Sequence, residues 1–408
     1  MAKTDIVIIG AGLNGLAAAL ALGGRQCRKP LSVTVIEKGD PARFANPAHD
    51  SRASALAAAT QRMLAGIGVW SAMVPFAQAM NQVVVTDAAL PEARQTLLSF
   101  LDSSDSAPTM FVENHAIFKA LLDEMALSPQ ITLTTGQAVA GFHFGPGLAQ
   151  VSLADGREIK ASLVIGADGR GSPTRQAAGI EVENWPYAQS AITLTVGHEL
   201  PHGGRAEEHF NPHGVFAILP LSGNRSSLVW TEPHEKAQAL CAMPEDAFLD
   251  ELSKQFGAHL GKLSLLSPRH AHPLSMMMAD RFVGKRLALV GDAAHVIHPL
   301  AGLGLNLGFK DAAALVDCVM QAADLGQDIG GEAALEAYSR WRRFDTISTA
   351  AMIHSLDLLF ANDQVALRSL RQAGLRLVDK IPALKRAFEK EAAGLTGDLP
   401  RLMRGLAA

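Results

Sequence analysis

Asp5-Ile-Val-Ile-Ile-Gly10-Ala-Gly12-Leu-Asn-Gly15-Leu-Ala-Ala-Ala-Leu20 is the stretch that decides the fold of this chain. An apolar run typical of a buried strand leads into a glycine turn and then into a good helix former, with G-x-G-x-x-G spacing. In such a turn Gly10 allows the tight bend, Gly12 lets a pyrophosphate approach the backbone, and Gly15 lets the helix pack on the strand. The stretch therefore predicts a strand–turn–helix unit that binds a dinucleotide.

An acidic residue at the end of the next strand strengthens this prediction. The run Leu31-Ser-Val-Thr-Val-Ile-Glu37 ends 22 positions after Gly15. A carboxylate about 20 residues beyond the glycine turn reaches the ribose hydroxyls of an adenine dinucleotide. We expect Glu37 to bind the ribose.

A second glycine-rich stretch lies far away, between Leu287 and Asp311. Its apolar start ends at Gly291-Asp292, where an acidic side chain can meet a sugar hydroxyl at a strand tip. Beyond it, glycines lead into a second helix, whose bare N–H groups would favour a negatively charged, flat ligand. A reduced flavin is a flat ligand of this kind, because it carries its negative charge along one edge of its ring system. The alternative is a buried strand–turn–helix without a ligand.

A third motif follows a predicted hairpin that turns at Asp155-Gly156. Its second strand runs into Gly166-Ala-Asp168-Gly169, which places an acid and a flexible backbone beside the nucleotide site. A plain turn is the alternative.

With the glycine turn near the N-terminus, Gly166-Ala-Asp168-Gly169 in the centre and Gly291-Asp292 followed by His298-Pro299 nearer the C-terminus, the chain resembles the group A flavoprotein aromatic hydroxylases of the para-hydroxybenzoate hydroxylase fold. Within that group it is most similar to the ubiquinone-biosynthesis hydroxylases, which oxidise polyprenylated phenols. The likeness covers most of residues 3–345 and is loose in 181–271. It is carried by residues 50–56, 112–114, 272–274, 291–302 and 306–308.

The resemblance implies FAD as the cofactor, NAD(P)H as a transient reductant and a hydrophobic phenol as the substrate. It also gives Arg52 a task at the pyrophosphate or the flavin, where a fixed cation offsets negative charge. The alternative for Arg52, in an alanine-rich segment that favours a helix, is a surface ion pair with Asp50 or Glu37. The residues expected to bind the cofactor are Gly10, Gly12, Gly15, Glu37, Arg52, Asp168, Gly169, Gly291, Asp292, Pro299, Gly302, Gly304, Leu305 and Asn306.

Two features leave the catalytic residues open. The family usually has Ala-Gly-Gln-Gly where this chain has Leu303 in place of the glutamine, so the amide side chain is missing. His295 and His298 could each act as an acid or base, or be structural. With only two tyrosines, Tyr187 and Tyr338, no tyrosine pair indicates a proton relay.

The motif order predicts an α/β protein: a Rossmann-like FAD-binding domain with an inserted β-rich substrate domain and a C-terminal helical segment. We expect the FAD domain to comprise 1–75, 100–180 and 272–345, the substrate domain 76–99 and 181–271, and the helices 346–408. Residues expected to line the cleft between the layers, with core packing as the alternative for several, are Phe216, Ile218, Leu219, Pro220, Trp230, Leu300 and Leu303.

Composition agrees with a large-cored protein of two or three domains, with 408 residues, 48% hydrophobic residues and a net charge of −4. The slight acidity gives no reason to expect nucleic acid as a partner. Three widely spaced cysteines argue against disulfides and structural metal. Glycines interrupt the apolar N-terminal run, so we expect neither a signal peptide nor a spanning helix, and a cytoplasmic location.

The tail from Asp363 onward differs in charge, with nine basic and five acidic residues, a net charge of +4. Leucines recur there at helical spacing. Such a segment predicts peripheral contact with the inner face of an anionic cytoplasmic membrane. A helix packed on its own domain is the alternative.

Three functions remain open. The favoured one is an NAD(P)H- and O₂-dependent flavin monooxygenase that hydroxylates a phenol ring. A second function stays open, that of a non-catalytic FAD-binding partner in a biosynthetic complex, because the glutamine amide is missing and the sequence does not indicate a catalytic base. A flavin oxidase or dehydrogenase is the third.

Overall fold

The computed structural model of the chain describes residues 2–87, 96–101, 107–211, 214–298, 302–360 and 393–407. In chain order the strands are β1 (Ala2–Ile9), β2 (Val33–Ile36), β3 (Ala53–Leu56), β4 (Ala77–Ala79), β5 (Gln82–Asp87), β6 (Thr96–Leu101), β7 (Met110–Glu113), β8 (Ile131–Thr134), β9 (Val139–Phe144), β10 (Ala149–Leu153), β11 (Glu158–Gly166), β12 (Val182–His198), β13 (Arg205–Asn211), β14 (Gly214–Leu221), β15 (Arg225–Pro233), β16 (Leu263–Leu265), β17 (His270–Ala279), β18 (Val283–Gly284), β19 (Leu287–Leu289) and β20 (His295–Val296). The helices are α1 (Leu13–Gly23), α2 (Ala58–Gly66), α3 (Trp70–Met73), α4 (Asn114–Ala126), α5 (Pro173–Ala177), α6 (His234–Ala242), α7 (Glu245–Phe256), α8 (Gly304–Asp324) and α9 (Glu332–Phe360).

The first sheet is built on β1, which pairs in parallel with β11 on one side and β2 on the other. The strand order is β18-β19-β11-β1-β2-β8, with β10 and β9 added beyond β11 as antiparallel strands. Strands buried on both faces of a parallel sheet need continuous apolar runs, and Ile6, Val7 and Ile8 have no exposed surface. Helix α1 packs on this sheet and against α4 and α8. This architecture confirms the α/β fold class and the hairpin of β10 and β11.

The second sheet has the order β20-β17-β12-β15-β14-β13-β5-β6, with β16 paired to β12. Most of its neighbours are antiparallel, but β13 and β5 are parallel. Strands β5, β12, β14 and β15 of this sheet lie within 76–99 and 181–271, the residues expected to form the β-rich substrate domain. Two strands from residues 272–345, most of β17 and all of β20, also join this sheet.

A small third sheet, in the order β3-β7-β4, contains the segment after Arg52. The alanine-rich run was expected to favour a helix from Ala53, and that expectation is wrong. Residues Ala53 to Leu56 pair with β7, and the helix begins only at Ala58. Alanine is a good helix former, but the ladder with β7 and the bond from Asn114 N–H to the Arg52 carbonyl (2.9 Å) outweigh that weak local preference.

The structure describes the beginning and the end of the C-terminal region. Helix α9 runs through residue 345, the expected boundary between the FAD domain and the C-terminal helices. Residues 393–407 return to the body of the protein, where Leu402 and Met403 are buried and the Arg401 N–H donates to Asp317 (2.8 Å). Residues 363–392, which carry most of the basic tail, lie outside the described residues. Within the part of the chain that is described, no helix is long and apolar enough to cross a membrane.

Candidate functional site: a dinucleotide cleft and an apolar layer

The three glycines of the β1–α1 turn serve different geometric purposes. Gly10 has a φ of +102°, and a Cβ there would lie 2.4 Å from the Ala167 carbonyl oxygen. A Cβ on Gly15 would lie 2.1 Å from the Gly10 carbonyl oxygen, so that residue must be small for the helix to reach the turn. A Cβ on Gly12 would meet nothing within 4 Å. Gly12 therefore borders open space at the start of α1.

Glu37 lies beside this turn, as its spacing predicts. Its Oε2 accepts a hydrogen bond from the Ala11 N–H (2.9 Å), and its Oε1 accepts one from the Gly39 N–H (3.0 Å). A carboxylate offers about four lone-pair positions, so it can accept ribose hydroxyls as well. The carboxylate is thus fixed at the edge of the glycine turn.

The Gly291-Asp292 turn is held from behind by a buried network of charged side chains. Asp311 in α8 has no exposed surface, and its Oδ2 accepts hydrogen bonds from the Gly291 N–H (3.1 Å) and His295 Nε2 (2.5 Å). Its Oδ1 accepts from Arg342 Nε (2.8 Å), which is equally buried. Burial opposes ionisation of Asp311, but the charges and hydrogen bonds of His295 and Arg342 hold its pKa below the usual range. His295 thus belongs to this buried network, the arrangement expected of a structural residue.

Arg175 connects the central motif to this turn. Its buried guanidinium donates from Nη1 to the Ala293 carbonyl (2.8 Å) and from Nη2 to the Arg170 carbonyl (2.9 Å). Asp168 caps the short helix α5, since its carboxylate accepts hydrogen bonds from the Ser172 hydroxyl and the Thr174 N–H. Gly169 follows with a φ of +81°. The Asp168 backbone lies against Gly10 of the β1–α1 turn. Both carboxylate oxygens of Asp168 already have protein partners.

Helix α8 starts at Gly304, two residues after Gly302, which has a φ of +61°. Asn306 fixes this start against the strand that follows Arg52. Its Oδ1 accepts from the Ala57 N–H (3.0 Å) and the Thr60 hydroxyl (2.7 Å), and its Nδ2 donates to the Ala55 carbonyl (2.7 Å). Leu305 is partly buried against the core. Pro299, also expected to bind the cofactor, lies outside the described residues, as does Leu300.

Asn14 brings the two glycine-rich segments together, although the sequence pattern indicated no role for it. Its side chain lies between Gly291 and Gly308, where added Cβ atoms would come within 2.1 Å and 2.3 Å of its Nδ2. Only glycine fits at both positions. Spacing could have singled out Gly308, but its partner is almost 300 residues away in the sequence.

The side chains of Arg52 and Asp292 are exposed to solvent, yet protein groups surround them closely. Asp50, which is buried, binds the Arg52 guanidinium through both carboxylate oxygens (2.9 Å and 2.8 Å), yet 55% of the arginine side chain is exposed. The ion pair weighed as the alternative is therefore present, and Nη1 stays outside it. Burial raises the pKa of Asp292 although its side chain reaches solvent, and the charges of His295, Arg52 and Arg170 only partly oppose this rise. Exposed groups closely surrounded by protein are typical of an open cleft.

A second region of the site is an apolar layer between the second sheet and the helices α8 and α9. Its buried members are Val85, Phe210, Val215, Ala217, Ile297, Leu307, Ala350 and Ile353, and its partly buried members include Leu219, Val229, Met276, Met278 and Leu303. The members from the sheet lie on the face that looks toward the start of α8, and the others come from α8, α9 and the segment after β20. We call this cluster the apolar layer.

The layer corrects part of the predicted cleft wall. Leu219 and Leu303 belong to it as expected, but Phe216, Ile218 and Trp230 do not. Those three side chains point to the opposite face of the sheet and form a separate core with α6 and α7. Successive residues of a strand alternate between faces, so the apolar run of β14 could not by itself indicate which face covers the cleft.

The arrangement fits FAD. Helices α1 and α8 both begin without a side-chain cap and without an acid in the first turn, so their N–H groups are suited to the pyrophosphate and the flavin edge. Glu37 and Asp292 each offer a carboxylate, the kind of acceptor that sugar hydroxyls require. Gly12 leaves the space that a phosphate needs. Fold and site together define a dinucleotide-binding flavoprotein.

Comparison with known proteins agrees with the assignment as a flavoprotein. Residues 3–348 match the family described as FAD binding domain. The chain is 39% identical to "Ubiquinone hydroxylase UbiL" of Rhodospirillum rubrum (98% of this chain, 93% of that one) and 37% identical to "3-demethoxyubiquinol 3-hydroxylase" of Escherichia coli (96% and 99%). It shares its fold with p-nitrophenol 4-monooxygenase of Pseudomonas putida, with a TM-score of 0.79 at 17% identity (96% and 99%). The chain belongs to the FAD-binding family of flavin-dependent aromatic hydroxylases.

Separate replacement of Gly12 and Gly15 should distinguish an effect on cofactor binding from an effect on folding. Gly12→Ala adds a methyl group in open space at an ordinary φ, so the fold should persist while FAD binds about tenfold or more weakly. Gly15→Ala meets the Gly10 carbonyl and should cost about 1–3 kcal/mol of stability. Fluorescence titration of the apoprotein with FAD and thermal melts of both variants measure these effects. Equal loss of stability in the two variants would contradict the assignment.

Asp292→Ala should weaken FAD binding by about 10- to 150-fold, because a charged hydrogen-bond acceptor contributes about 1.5–3 kcal/mol. The apoprotein should not become less stable, since a carboxyl whose pKa is raised by burial disfavours the folded state at neutral pH. Dialysis followed by absorbance spectra measures the retained FAD. Asp280→Ala, at an exposed turn, is the matched control. Full retention of FAD by Asp292→Ala would rule out the assigned contact.

Proposed function

We propose that this flavin-dependent hydroxylase acts on the aromatic ring of a polyprenylated phenol in ubiquinone biosynthesis. The apolar layer is the observation that carries the proposal. Its side chains are aliphatic, aromatic or thioether groups, and it includes Leu303 at the start of α8, where the flavin would be held. The names of the two bacterial relatives agree with this substrate class.

Physical chemistry favours a lipid-like substrate at such a surface. A prenyl chain gains about 0.8 kcal/mol for each CH₂ group removed from water, whereas a small charged acid gains nothing from apolar walls. Where the family usually has glutamine, Leu303 adds a further apolar side chain to this layer.

The division of labour between cofactor and protein follows from the site. Bound FAD, reduced by NAD(P)H, supplies the chemistry that activates O₂ for insertion into the ring. The protein binds the cofactor through the glycine turn and the two acids, orients the phenol against the apolar layer, and excludes water from it. NAD(P)H would act as a transient reductant, because the sequence shows no glycine-rich nucleotide turn beyond those assigned to FAD.

Oxygen labelling tests the reaction. Holoenzyme supplied with NAD(P)H and ¹⁸O₂ should insert one labelled oxygen into the ring of a phenol that carries a prenyl chain. Hydroxybenzoate without the chain should have a KM at least about tenfold higher, because two buried CH₂ groups already give about that factor. Mass spectrometry of the products measures the label. Reoxidation of FAD without labelled product would favour the FAD-binding partner instead.

We also propose that the basic segment within residues 363–392 contacts an anionic membrane surface, which would bring the enzyme to a lipid-borne substrate. Each cation near such a surface contributes about 1 kcal/mol before salt screens it. The described end of the tail, 393–407, packs on the protein, so the contact is assigned to the preceding residues. A role in a biosynthetic complex remains compatible with the same segment.

Neutralising that segment tests the membrane contact without removing the packed end. The tail variant carries glutamine at Lys380, Lys385, Arg386 and Lys390, and the control carries it at Arg62, Lys119, Arg157 and Lys254. Binding to phosphatidylglycerol vesicles should fall about tenfold or more in the tail variant alone, with FAD content unchanged. Phosphatidylcholine vesicles should bind neither protein. Equal vesicle binding by both variants would refute the contact.

A further inference from the structure

A pocket lies beside the start of α8, where α2, α9 and the C-terminal segment come together. The residues that line it include Ala59, Thr60, Leu303, Leu307, Thr349 and Met403. We call it the side pocket. Two of its residues, Leu303 and Leu307, also belong to the apolar layer. The side pocket and the apolar layer therefore adjoin along one face of α8.

Polar side chains in the wall of the side pocket already have partners inside the protein. Thr60 Oγ1 donates to Asn306 Oδ1 (2.7 Å), and Thr349 Oγ1 donates to the Asp345 carbonyl (3.0 Å). Lys310 Nζ binds Asp345 Oδ2 at 2.9 Å, so these two charges neutralise each other. A ligand that needs hydrogen bonds or a free cation gains little from these groups. Their methyl and methylene groups remain as surface for an apolar ligand.

Small residues keep space open between the C-terminal segment and α2. Gly394 has a φ of +64°, and a Cβ there would lie 3.6 Å from the Cβ atoms of Ala57 and Ala59. The Ala393 carbonyl accepts a hydrogen bond from the Ala59 N–H (3.4 Å), which ties the segment to the helix at this point. Met403 of the same segment also lines the pocket, and its flexible thioether can adapt to an irregular apolar ligand.

We propose that the side pocket holds the prenyl chain of the substrate while the ring stays at the apolar layer; this rests on the proposed function. A prenyl chain is an uncharged, methyl-branched hydrocarbon, which suits a wall whose polar groups are paired. The chain needs an apolar path away from the ring, and Leu303 and Leu307 provide it because they border both regions. A fatty acid also carries an anionic group, and Asp345 already neutralises Lys310.

The C-terminal segment gives the pocket its place relative to the proposed membrane contact. Gly394 and Met403 belong to residues 393–407, which directly follow the basic segment assigned above to an anionic membrane surface. The far end of the chain then leaves the protein beside Ala393, where that segment joins the packed end. A substrate bound in this way keeps the rest of its chain near the bilayer while its ring lies at the apolar layer.

Thr349→Phe fills the side pocket from α9. Holoprotein is titrated with phenols that carry no chain or one, two or four isoprene units, and the change in flavin absorbance measures each Kd. In the wild type each CH₂ group buried in the pocket should tighten binding about fourfold. Loss of two such contacts in Thr349→Phe should weaken binding of the two-unit phenol about tenfold or more. The Kd of the phenol without a chain should change less than about twofold, because its ring binds elsewhere.

Two further variants make the comparison specific. Ser348→Phe adds the same side chain at the neighbouring, exposed position of α9 and is the matched control. It should keep the dependence of Kd on chain length that the wild type has. Ala59→Leu fills the pocket from α2 and should reproduce the effect of Thr349→Phe, since both remove the same space.

A photoreactive chain locates the site without any substitution. A phenol whose second isoprene unit carries a diazirine is bound to the wild-type holoprotein and irradiated, and mass spectrometry of the peptides identifies the labelled residues. Label should appear on Thr349, on Met403 or on residues of α2. An excess of the same phenol without the diazirine should suppress it.

The outcomes separate the two proposals. Wild-type protein that neither binds nor hydroxylates prenylated phenols refutes the proposed function and the assigned pocket with it. Active wild-type protein beside folded Thr349→Phe and Ala59→Leu variants that keep the full gain from the chain refutes the pocket alone. The same loss in Ser348→Phe also refutes it. Label confined to β5, β13 or β14 overturns the pocket as well, and this measurement decides the matter if the filled variants fail to fold.

Discussion

The carboxylate of Asp311 is the group on which the site depends. It is fully buried, so both of its oxygens must find partners inside the protein, and those partners come from three elements: the Gly291 turn, β20 and α9. Breaking one side of a buried charge pair costs about 3–5 kcal/mol. The pairing therefore sets the position of α8 and α9 relative to the strand tip that carries Asp292.

The cofactor side of the protein is formed in advance by close contacts that permit only glycine. Asn14 lies between two glycine backbones, and the β1–α1 turn packs closely against the turn that contains Ala167. These contacts leave Arg52 and Asp292 crowded by protein but open to solvent. The raised pKa of Asp292 disfavours the empty protein slightly, and both groups gain hydrogen bonds when a dinucleotide supplies hydroxyls and phosphates.

The sequence was sufficient wherever the signal was local. Periodicity and spacing predicted the α/β class, the glycine turn and the position of Glu37 beside it, because each depends on residues of one strand–turn–helix unit. They failed where distant elements decide. The Ala53 segment became a strand because β7 offered a partner, and Phe216 faced away from the cleft because α6 and α7 cover that side of the sheet. Ala59 and Thr349 lie far apart in the sequence, and only the folded chain brings them to one pocket.

Strand β14 has one further consequence, since it contributes to two separate cores. Phe216 and Ile218 belong to the core with α6 and α7, whereas Val215, Ala217 and Leu219 belong to the apolar layer. Neighbouring positions in the gene therefore face different selective demands. Changes at odd-numbered positions can reshape the surface offered to a ligand, while the even-numbered ones maintain the scaffold. A lineage could in this way alter what the enzyme accepts by single substitutions along one strand without weakening the domain that carries it.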